Sequence, residues 1–232
     1  MEENVKKERK RKVGVTMKKI TAILNILLII SVAIGVLYMF SGGGNDAVFA
    51  TSGIYNLKYF TVLSNCLCGI IAIVYLACNL MHKKISLLWK YIGATEVGLT
   101  FMVIACFLQP MYPTLDMYAE GNLWFHLICP LIAMAELVLL TIDKKKMPIK
   151  WSMITMIPVF IYGTIYLLNV QINGIGKWPK SNDFYGFLNW GLPIGIIIFS
   201  CIILMSWVIA LLLRIPNVVS NRKNNFSLHR EV

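Results

Sequence analysis

The sequence has few charged residues. Asp, Glu, Lys and Arg make up 14% of its 232 residues, whereas a typical soluble domain has about 25%. Hydrophobic residues make up 58%, and the mean hydropathy is +0.70. These values exclude a disordered chain, a fibrous repeat and a small disulfide-stabilised secreted domain, and they predict an integral membrane protein.

The sequence also lacks the cysteine and histidine motifs of metal and disulfide sites. Its six cysteines all fall within apolar stretches, outside the loops where an oxidising compartment would pair them. Cys66 and Cys68 are two residues apart, which places their thiols on different faces of a helix. Neither a CxxC nor an HExxH motif is present. We therefore expect buried free thiols, no metal site and no cofactor.

Long apolar stretches dominate the rest of the chain. A helix needs about 20 mostly apolar residues to cross a bilayer, and six stretches meet this requirement. They are residues 20–40, 59–80, 86–108, 123–142, 151–169 and 188–213. None alternates in polarity like the strands of a membrane β-barrel. The sequence therefore predicts an all-α polytopic membrane protein, with a basic segment (1–19), a six-transmembrane-helix bundle (20–213) and a tail (214–232).

Lys and Arg residues, which outnumber Asp and Glu by 22 to 11, are concentrated in alternate connections. The basic segments are residues 1–19, 81–85, 143–150 and 214–232. Because cytoplasmic segments carry an excess of positive charge, both termini are predicted to be cytoplasmic. We interpret the amino-terminal basic run as a topology signal or a contact with anionic membrane lipids, and we expect no nucleic-acid partner.

Several polar side chains lie inside the apolar stretches, where they are costly and often functional. In the predicted topology the second, fourth and sixth helices begin at the outer surface. At 1.5 Å per residue, Thr61, Ser64 and Asn65 then lie about 4 to 10 Å below that surface, and His126 about 6 Å below it. Asn189 falls in the same layer. We therefore predict one outer-leaflet pocket that contains hydroxyl, imidazole and amide groups.

Two prolines lie close to this layer. Proline cannot donate the helical hydrogen bond to the carbonyl four residues earlier. In continuous helices Pro130 would therefore release the carbonyl of His126, and Pro193 that of Asn189. Broken helical backbone inside a membrane is tolerated where it is buried in protein or lines a cavity, so both prolines support a pocket at this depth.

Three charged residues lie within the apolar stretches. Lys90 and Glu136 are each about 6 to 9 Å from the cytoplasmic ends of their helices, so we predict a structural ion pair that reduces the cost of burying both charges. Glu96 lies near mid-bilayer with no cation at its depth, which favours a protonated or hydrogen-bonded carboxyl. We expect Glu96 at the floor of a cavity or in a proton relay.

The outer connection before the sixth stretch is rich in glycine and aromatic residues. It contains Gly174, Gly176 and Trp178, followed by residues 183–187. Because Trp and Tyr favour the membrane interface, this connection is interpreted either as a partial lid over the bundle or as a plain interfacial anchor.

Three short motifs resemble one known family. They are Lys58–Asn65 (KYFTVLSN), Phe125–Pro130 (FHLICP) with Glu136, and Tyr185–Asn189 (YGFLN). They are similar to motifs of the androgen-induced family of multi-pass membrane hydrolases, which includes the androgen-dependent TFPI-regulating protein, and of its bacterial six-helix relatives. The resemblance covers most of the bundle, although Gly186 stands where relatives tend to have proline. The resemblance to the bacterial relatives implies a location in a bacterial plasma membrane.

The resemblance implies hydrolysis of fatty acid esters of hydroxy fatty acids by a threonine nucleophile with a histidine partner. Matched motif by motif, the threonine corresponds to Thr61 and the histidine to His126. A lipid or fatty acyl ester is then the expected substrate, and Ser64, Asn65 or Asn189 would stabilise the oxyanion. Ser64 is also an alternative nucleophile, because it lies three residues from Thr61 on the same helix surface.

Two other functions fit the same polar layer. Broken helix ends are compatible with a transporter of lipids or small molecules, although no inverted repeat is detectable. A non-catalytic membrane protein would use the layer to bind a lipid or a partner helix. The sequence leaves these alternatives open beside the hydrolase.

Overall fold

The structure is a computed structural model that describes residues 2–41, 53–111, 113, 116–142, 144–177 and 181–228. Within these ranges all regular secondary structure is helical and there is no strand. The same residues include six helices that are long and apolar enough to cross a membrane. The predicted all-helical architecture with six helices of membrane-spanning length is therefore confirmed.

We number these helices α1 to α6. They are α1 (Glu2–Ser41), α2 (Phe60–Leu80), α3 (Leu87–Met111), α4 (Glu120–Thr141), α5 (Lys150–Asn173) and α6 (Leu192–Leu228). Two of them contain a π-helical segment, Ile104–Leu108 in α3 and Trp124–Ile128 in α4. A break at Thr155 and Met156 divides α5 before Pro158. A short 3-10 helix, Gly53–Lys58, leads into α2.

The first and last helices differ from the predicted stretches. The basic residues before position 20 continue the same helix, so that α1 is 40 residues long. α6 begins at Leu192 instead of 188, since a turn that includes Gly191 at φ +89° precedes it. Pro193 therefore lies in the first turn of α6, where its missing N–H has no helical partner to lose. The prediction that Pro193 releases the Asn189 carbonyl is wrong, because Asn189 precedes the helix.

α3 lies at the centre of the bundle and packs against α2, α4 and α6. Every residue from Lys90 to Thr100 is buried. Two glycines permit this packing: a Cβ at Gly93 would lie 3.3 Å from the nearest side-chain atom of α2, and one at Gly98 would lie 3.1 Å from the nearest side-chain atom of α4. Small residues at helix contacts are typical of membrane proteins, where close packing replaces the hydrophobic effect.

Lys90 and Glu136 form an ion pair. Lys90 Nζ lies 3.3 Å from Glu136 Oε2, and both side chains are buried. Asn25 of α1 joins them, because its amide donates to Glu136 Oε1 at 2.9 Å and its side-chain oxygen accepts from Lys90. This group ties three helices together in the inner half of the bundle, which we define as the half containing Lys90 at the start of α3. The outer half contains Thr61 at the start of α2.

A second inner contact joins α6 to the connection between α4 and α5. Asn217 is buried, and its amide donates to the Thr141 carbonyl at 2.7 Å while its side-chain oxygen accepts from the Met147 N–H at 2.8 Å. Arg214, one turn earlier, donates to the Met147 carbonyl at 2.8 Å. These bonds fix the inner ends of three helices relative to one another.

Candidate functional site in the outer half

A cavity of about 40 Å³ lies in the outer half, between α2, α3, α5, α6 and the connection that precedes α6. It is lined by Phe60, Thr61, Leu99, Thr100, Val103, Ile104, Leu108, Val159, Tyr162, Tyr185, Phe187, Phe199 and Ile202. Its volume accommodates about three groups the size of a water molecule, at about 10–15 Å³ each. The walls are mostly hydrocarbon, so this narrow slot suits the end of an apolar chain.

Thr61 is the second residue of α2, and its half-buried side chain lines this cavity. A helical threonine often donates to the carbonyl three or four residues earlier. Here the carbonyl of Lys58, three residues earlier, accepts from the Tyr162 hydroxyl at 2.7 Å instead. Among the residues that the structure describes, the Thr61 hydroxyl has no hydrogen-bond partner.

Ser64 and Asn65 lie one turn further along α2 and are both buried. The Ser64 hydroxyl lies 3.1 Å from the Thr61 carbonyl oxygen and 3.0 Å from Thr100 Oγ1. The Asn65 amide donates to the carbonyls of Thr61, at 2.8 Å, and of Phe125 in α4, at 3.0 Å. Asn65 therefore bridges the helical turn that carries Thr61 and the turn that carries His126.

The π-helical segment in α4 accounts for this bridge. The Cys129 N–H donates to the Trp124 carbonyl, five residues back, instead of to Phe125. Proline at 130 lacks the next donor, and its ring would clash with the preceding turn, which a wider π turn accommodates. The backbone break expected at Pro130 thus takes the form of a π turn, and the Asn65 amide reaches the Phe125 carbonyl there.

His126 lies in this π segment and is 5% exposed. Its Nδ1 is 2.5 Å from the carbonyl oxygen of Met117 in the preceding loop. Because a carbonyl only accepts, Nδ1 carries the hydrogen in this bond and leaves Nε2 of the neutral ring as an acceptor. His126 is not among the residues that line the cavity, and its ring makes no hydrogen bond to the Thr61 hydroxyl.

Asn189 lies outside the layer in which the sequence placed it. Its side chain is exposed, in the turn before α6. Its backbone N–H donates to the Gly186 carbonyl at 3.2 Å, which closes that turn. The predicted stretch begins four residues before the helix does, and this shift removes Asn189 from the bundle interior.

Residues 183–188 form the outer wall of the cavity. Tyr185 and Phe187 line it directly. Buried Asp183 fixes the segment, because its Oδ1 accepts from the Tyr166 hydroxyl at 2.5 Å and its Oδ2 accepts from a backbone N–H five residues later at 3.0 Å. This part of the connection therefore belongs to the site and is more than a surface anchor. Trp178, in the same connection, lies outside the described residues.

The Tyr185 hydroxyl reaches the start of α2, where it accepts a hydrogen bond from the Phe60 N–H at 2.9 Å. Burial raises the pKa of Tyr185 to about 12, although hydrogen bonds with the backbone of Phe60 and Thr61 oppose this rise. Lys58 lies beside this contact, and its ammonium is 4.9 Å from the centre of the Phe184 ring. Burial lowers the pKa of Lys58.

Glu96 lies beneath the cavity. It is fully buried, and neither carboxyl oxygen has a hydrogen-bond partner among the described residues. One face of α3 carries Glu96, Leu99, Thr100 and Val103, by their helical spacing. The last three of these residues line the cavity. Glu96 thus continues that face one turn inward without itself belonging to the lining.

Sequence reasoning missed three hydroxyl-bearing residues of the site, Thr100, Tyr162 and Tyr166. A lone threonine or tyrosine in an apolar stretch resembles an ordinary packing residue, and no motif distinguishes these three. Within the described ranges, no group of three His, Cys, Asp or Glu residues is arranged to hold a metal ion. All six cysteines are free thiols.

A comparison of this chain with protein-family models, with curated proteins and with solved structures finds no match. The family resemblance therefore rests on the three motifs themselves. The structure brings these motifs into contact: Asn65 of the first bonds Phe125 of the second, and Phe60 of the first bonds Tyr185 of the third.

Proposed function

We propose that this protein is an intramembrane hydrolase of lipid esters in which Thr61 is the nucleophile and His126 the general base. The observation that carries the proposal is the Thr61 hydroxyl, which is unpartnered among the described residues and lies on the wall of an apolar cavity. The same residues carry the resemblance to the androgen-induced family, to which we assign the chain within this proposal.

The reaction follows from the chemistry of these groups. The Thr61 oxygen attacks the ester carbonyl while Nε2 of His126 takes the hydroxyl proton. The bond from the carbonyl carbon to the alcohol oxygen then breaks, and the imidazolium returns the proton to the leaving alkoxide. Water, activated by the same imidazole, hydrolyses the acyl-threonine and restores the hydroxyl. The cavity holds the acyl chain, since its walls are apolar.

One contact of His126 and one of the preceding residue support the role of His126 as the base. The bond from Nδ1 to the Met117 carbonyl fixes the tautomer in which Nε2 is basic. The residue before it, Phe125, is tied through Asn65 to the carbonyl of Thr61. The proposed mechanism requires the Thr61 hydroxyl and Nε2 to approach when substrate binds, because catalytic hydrogen bonds are often long without ligand and shorten in the reacting complex.

We also propose the orientation in which both termini are cytoplasmic. The described lysines in the α2–α3 and α4–α5 connections, Lys83, Lys84 and Lys144–Lys146, are all exposed. An excess of exposed lysine marks the cytoplasmic side of a bacterial plasma membrane protein. In this orientation the cavity lies at the depth of the outer leaflet, which makes a membrane lipid ester the expected substrate.

Labelling with a fluorophosphonate probe tests the nucleophile. Purified wild-type protein should be labelled, and Thr61→Ala should lose the label. Thr164→Ala is the matched control, because Thr164 is exposed on α5; it should be labelled like wild type. His126→Gln should slow labelling by about 10²–10⁴-fold. Undiminished labelling of Thr61→Ala would reject Thr61, and loss of that label in Ser64→Ala would assign the attack to Ser64.

Non-catalytic lipid binding is the second candidate. It is favoured by the absence, in the described structure, of a hydrogen bond between the Thr61 hydroxyl and the His126 ring. In that case the purified protein would retain a fatty acyl ester without cleaving it. Mass spectrometry of lipid recovered after incubation distinguishes the two: intact ester supports binding alone, whereas free fatty acid that is absent with Thr61→Ala supports hydrolysis.

A further inference from the structure

The proposed hydrolase needs a hydrogen-bond donor for the oxyanion, and the three residues expected from the sequence do not supply one. The Asn65 amide is occupied by two backbone carbonyls. The Ser64 hydroxyl lies between the Thr61 carbonyl and Thr100. Asn189 is exposed outside the bundle. The donor must therefore come from another residue near Thr61.

Tyr185 brings a hydroxyl to the backbone beside Thr61. Its oxygen accepts from the N–H of Phe60, the residue immediately before Thr61, at 2.9 Å. Tyr185 and Thr61 line the same cavity. The Tyr185 oxygen is the acceptor in its bond with Phe60, so its hydrogen can be donated to the nearby Tyr162 oxygen or, when substrate binds, to the ester carbonyl. Tyr162, in contrast, donates its hydrogen to the Lys58 carbonyl.

The position of Tyr185 is held from both sides. Its own N–H donates to the Tyr166 hydroxyl at 3.3 Å, and that hydroxyl donates to Asp183. Its ring stacks against Phe187, with ring centres 5.0 Å apart. A donor fixed before reaction needs no reorganisation when charge develops, which is the source of oxyanion stabilisation.

We infer that Tyr185 is the oxyanion donor of the site, an inference that rests on the proposed function. As the Thr61 oxygen attacks, negative charge develops on the ester carbonyl oxygen and the Tyr185 O–H donates to it. The charge returns to the carbonyl when the bond to the leaving alcohol breaks, and Tyr185 keeps its proton throughout. The N–H of Phe60, at the positive end of the α2 dipole, polarises the phenol and strengthens it as a donor.

The protonation state of Tyr185 agrees with this role. Burial raises its pKa to about 12, so the phenol stays neutral over the range in which most enzymes work. A neutral phenol donates a hydrogen bond, whereas a phenolate repels an oxyanion. The donor is therefore retained as pH rises through the ordinary tyrosine pKa of about 10.

Hydrolysis of a p-nitrophenyl acyl ester by the purified full-length protein tests the inference. Tyr185→Phe removes the donor and keeps the ring. It should lower kcat by about 10²–10³-fold with little change in KM. Tyr55→Phe is the matched control, because Tyr55 is 74% exposed; it should keep the wild-type rate. A wild-type kcat in folded Tyr185→Phe would overturn the inference.

Replacement of Tyr185 by 3,5-difluorotyrosine covers the case in which Tyr185→Phe does not fold. This residue keeps the hydroxyl and the shape but ionises at lower pH. The alkaline limb of the kcat–pH profile should shift to lower pH, and an unshifted limb would overturn the inference. The profile separates the two proposals. If hydrolysis depends on Thr61 but its rate does not change with ionisation of residue 185, the hydrolase proposal is retained and the role of Tyr185 is rejected. Absence of Thr61-dependent hydrolysis in wild type would overturn both.

Discussion

The buried polar side chains of two inner contacts, around Lys90 and around Asn217, are partnered, whereas two hydroxyls in the outer half have no partner among the described residues. In the inner half Lys90, Glu136 and Asn25 satisfy one another. In the outer half, within the described ranges, the hydroxyl of Thr61 and the buried hydroxyl of Tyr59 have no hydrogen-bond partner.

The difference distinguishes polar groups that stabilise the bundle from polar groups that are available to a ligand. A buried polar group without a partner costs folding free energy, and the proposed function would account for the cost at Thr61. The inner contacts join α1, α3, α4 and α6 and stabilise the bundle.

Lys90→Met should produce the largest loss of stability. It leaves Glu136 buried without its cation, and breaking a buried pair in this way costs about 3–5 kcal/mol. The double variant Lys90→Met/Glu136→Leu removes both charges and should recover most of the loss, since an apolar pair of similar volume is often neutral. Thermal unfolding in detergent measures both. Equal destabilisation of the single and double variants would contradict a structural role for the pair.

The inner half could be predicted in part from the sequence. Length and hydropathy determine the six helices, and charge pairing at matched depth points to Lys90 with Glu136. Asn25 was not predicted, because a single amide within an apolar stretch carries no sign of the helix it will contact. The Asn217 contacts were missed for the same reason, since they join α6 to backbone groups far away in sequence.

In the outer half, depth in the membrane was not sufficient to predict which side chains meet. Depth assigns residues to a layer but not to a direction around the helix axis. Thr61 faces the cavity, whereas His126 bonds to the Met117 loop. Asn189 leaves the bundle because α6 starts later than its apolar stretch. Tyr185 was not singled out, since a tyrosine in an outer connection is indistinguishable in sequence from an interfacial anchor.

Asn217→Ala should have an intermediate effect. It deprives the buried Thr141 carbonyl and Met147 N–H of their partner, and each unsatisfied group costs about 1–3 kcal/mol. Asn221→Ala is the matched control, because the bond from Asn221 to the Lys144 carbonyl is exposed and water replaces it. Urea or thermal unfolding should rank Asn217→Ala well below Asn221→Ala in stability. Equal values for the two would mean that the hydrogen bonds of Asn217 do not stabilise the inner half.

Tyr59→Phe should have the smallest effect at neutral pH and tests the outer half. The Tyr59 hydroxyl has no partner among the described residues, so its removal leaves no group unsatisfied and should preserve stability. The stability of Tyr59→Phe is to be compared with that of Lys90→Met and Asn217→Ala. A loss of stability as large as theirs would show that the outer hydroxyl is partnered in the membrane and would break the distinction between the halves.

The thermal stability of the same variant at alkaline pH gives a second test. Burial raises the pKa of Tyr59 to about 12, whereas an unfolded tyrosine ionises near pH 10. A raised pKa in the folded state gives stability that is present below about pH 10 and is lost as pH rises to about 12. Wild type should therefore lose thermal stability across this window, and Tyr59→Phe should lose less. Tyr55→Phe should follow wild type because Tyr55 is exposed. Identical losses in all three proteins would mean that the Tyr59 hydroxyl is solvated in the folded protein, which would remove it from the unpartnered groups of the outer half.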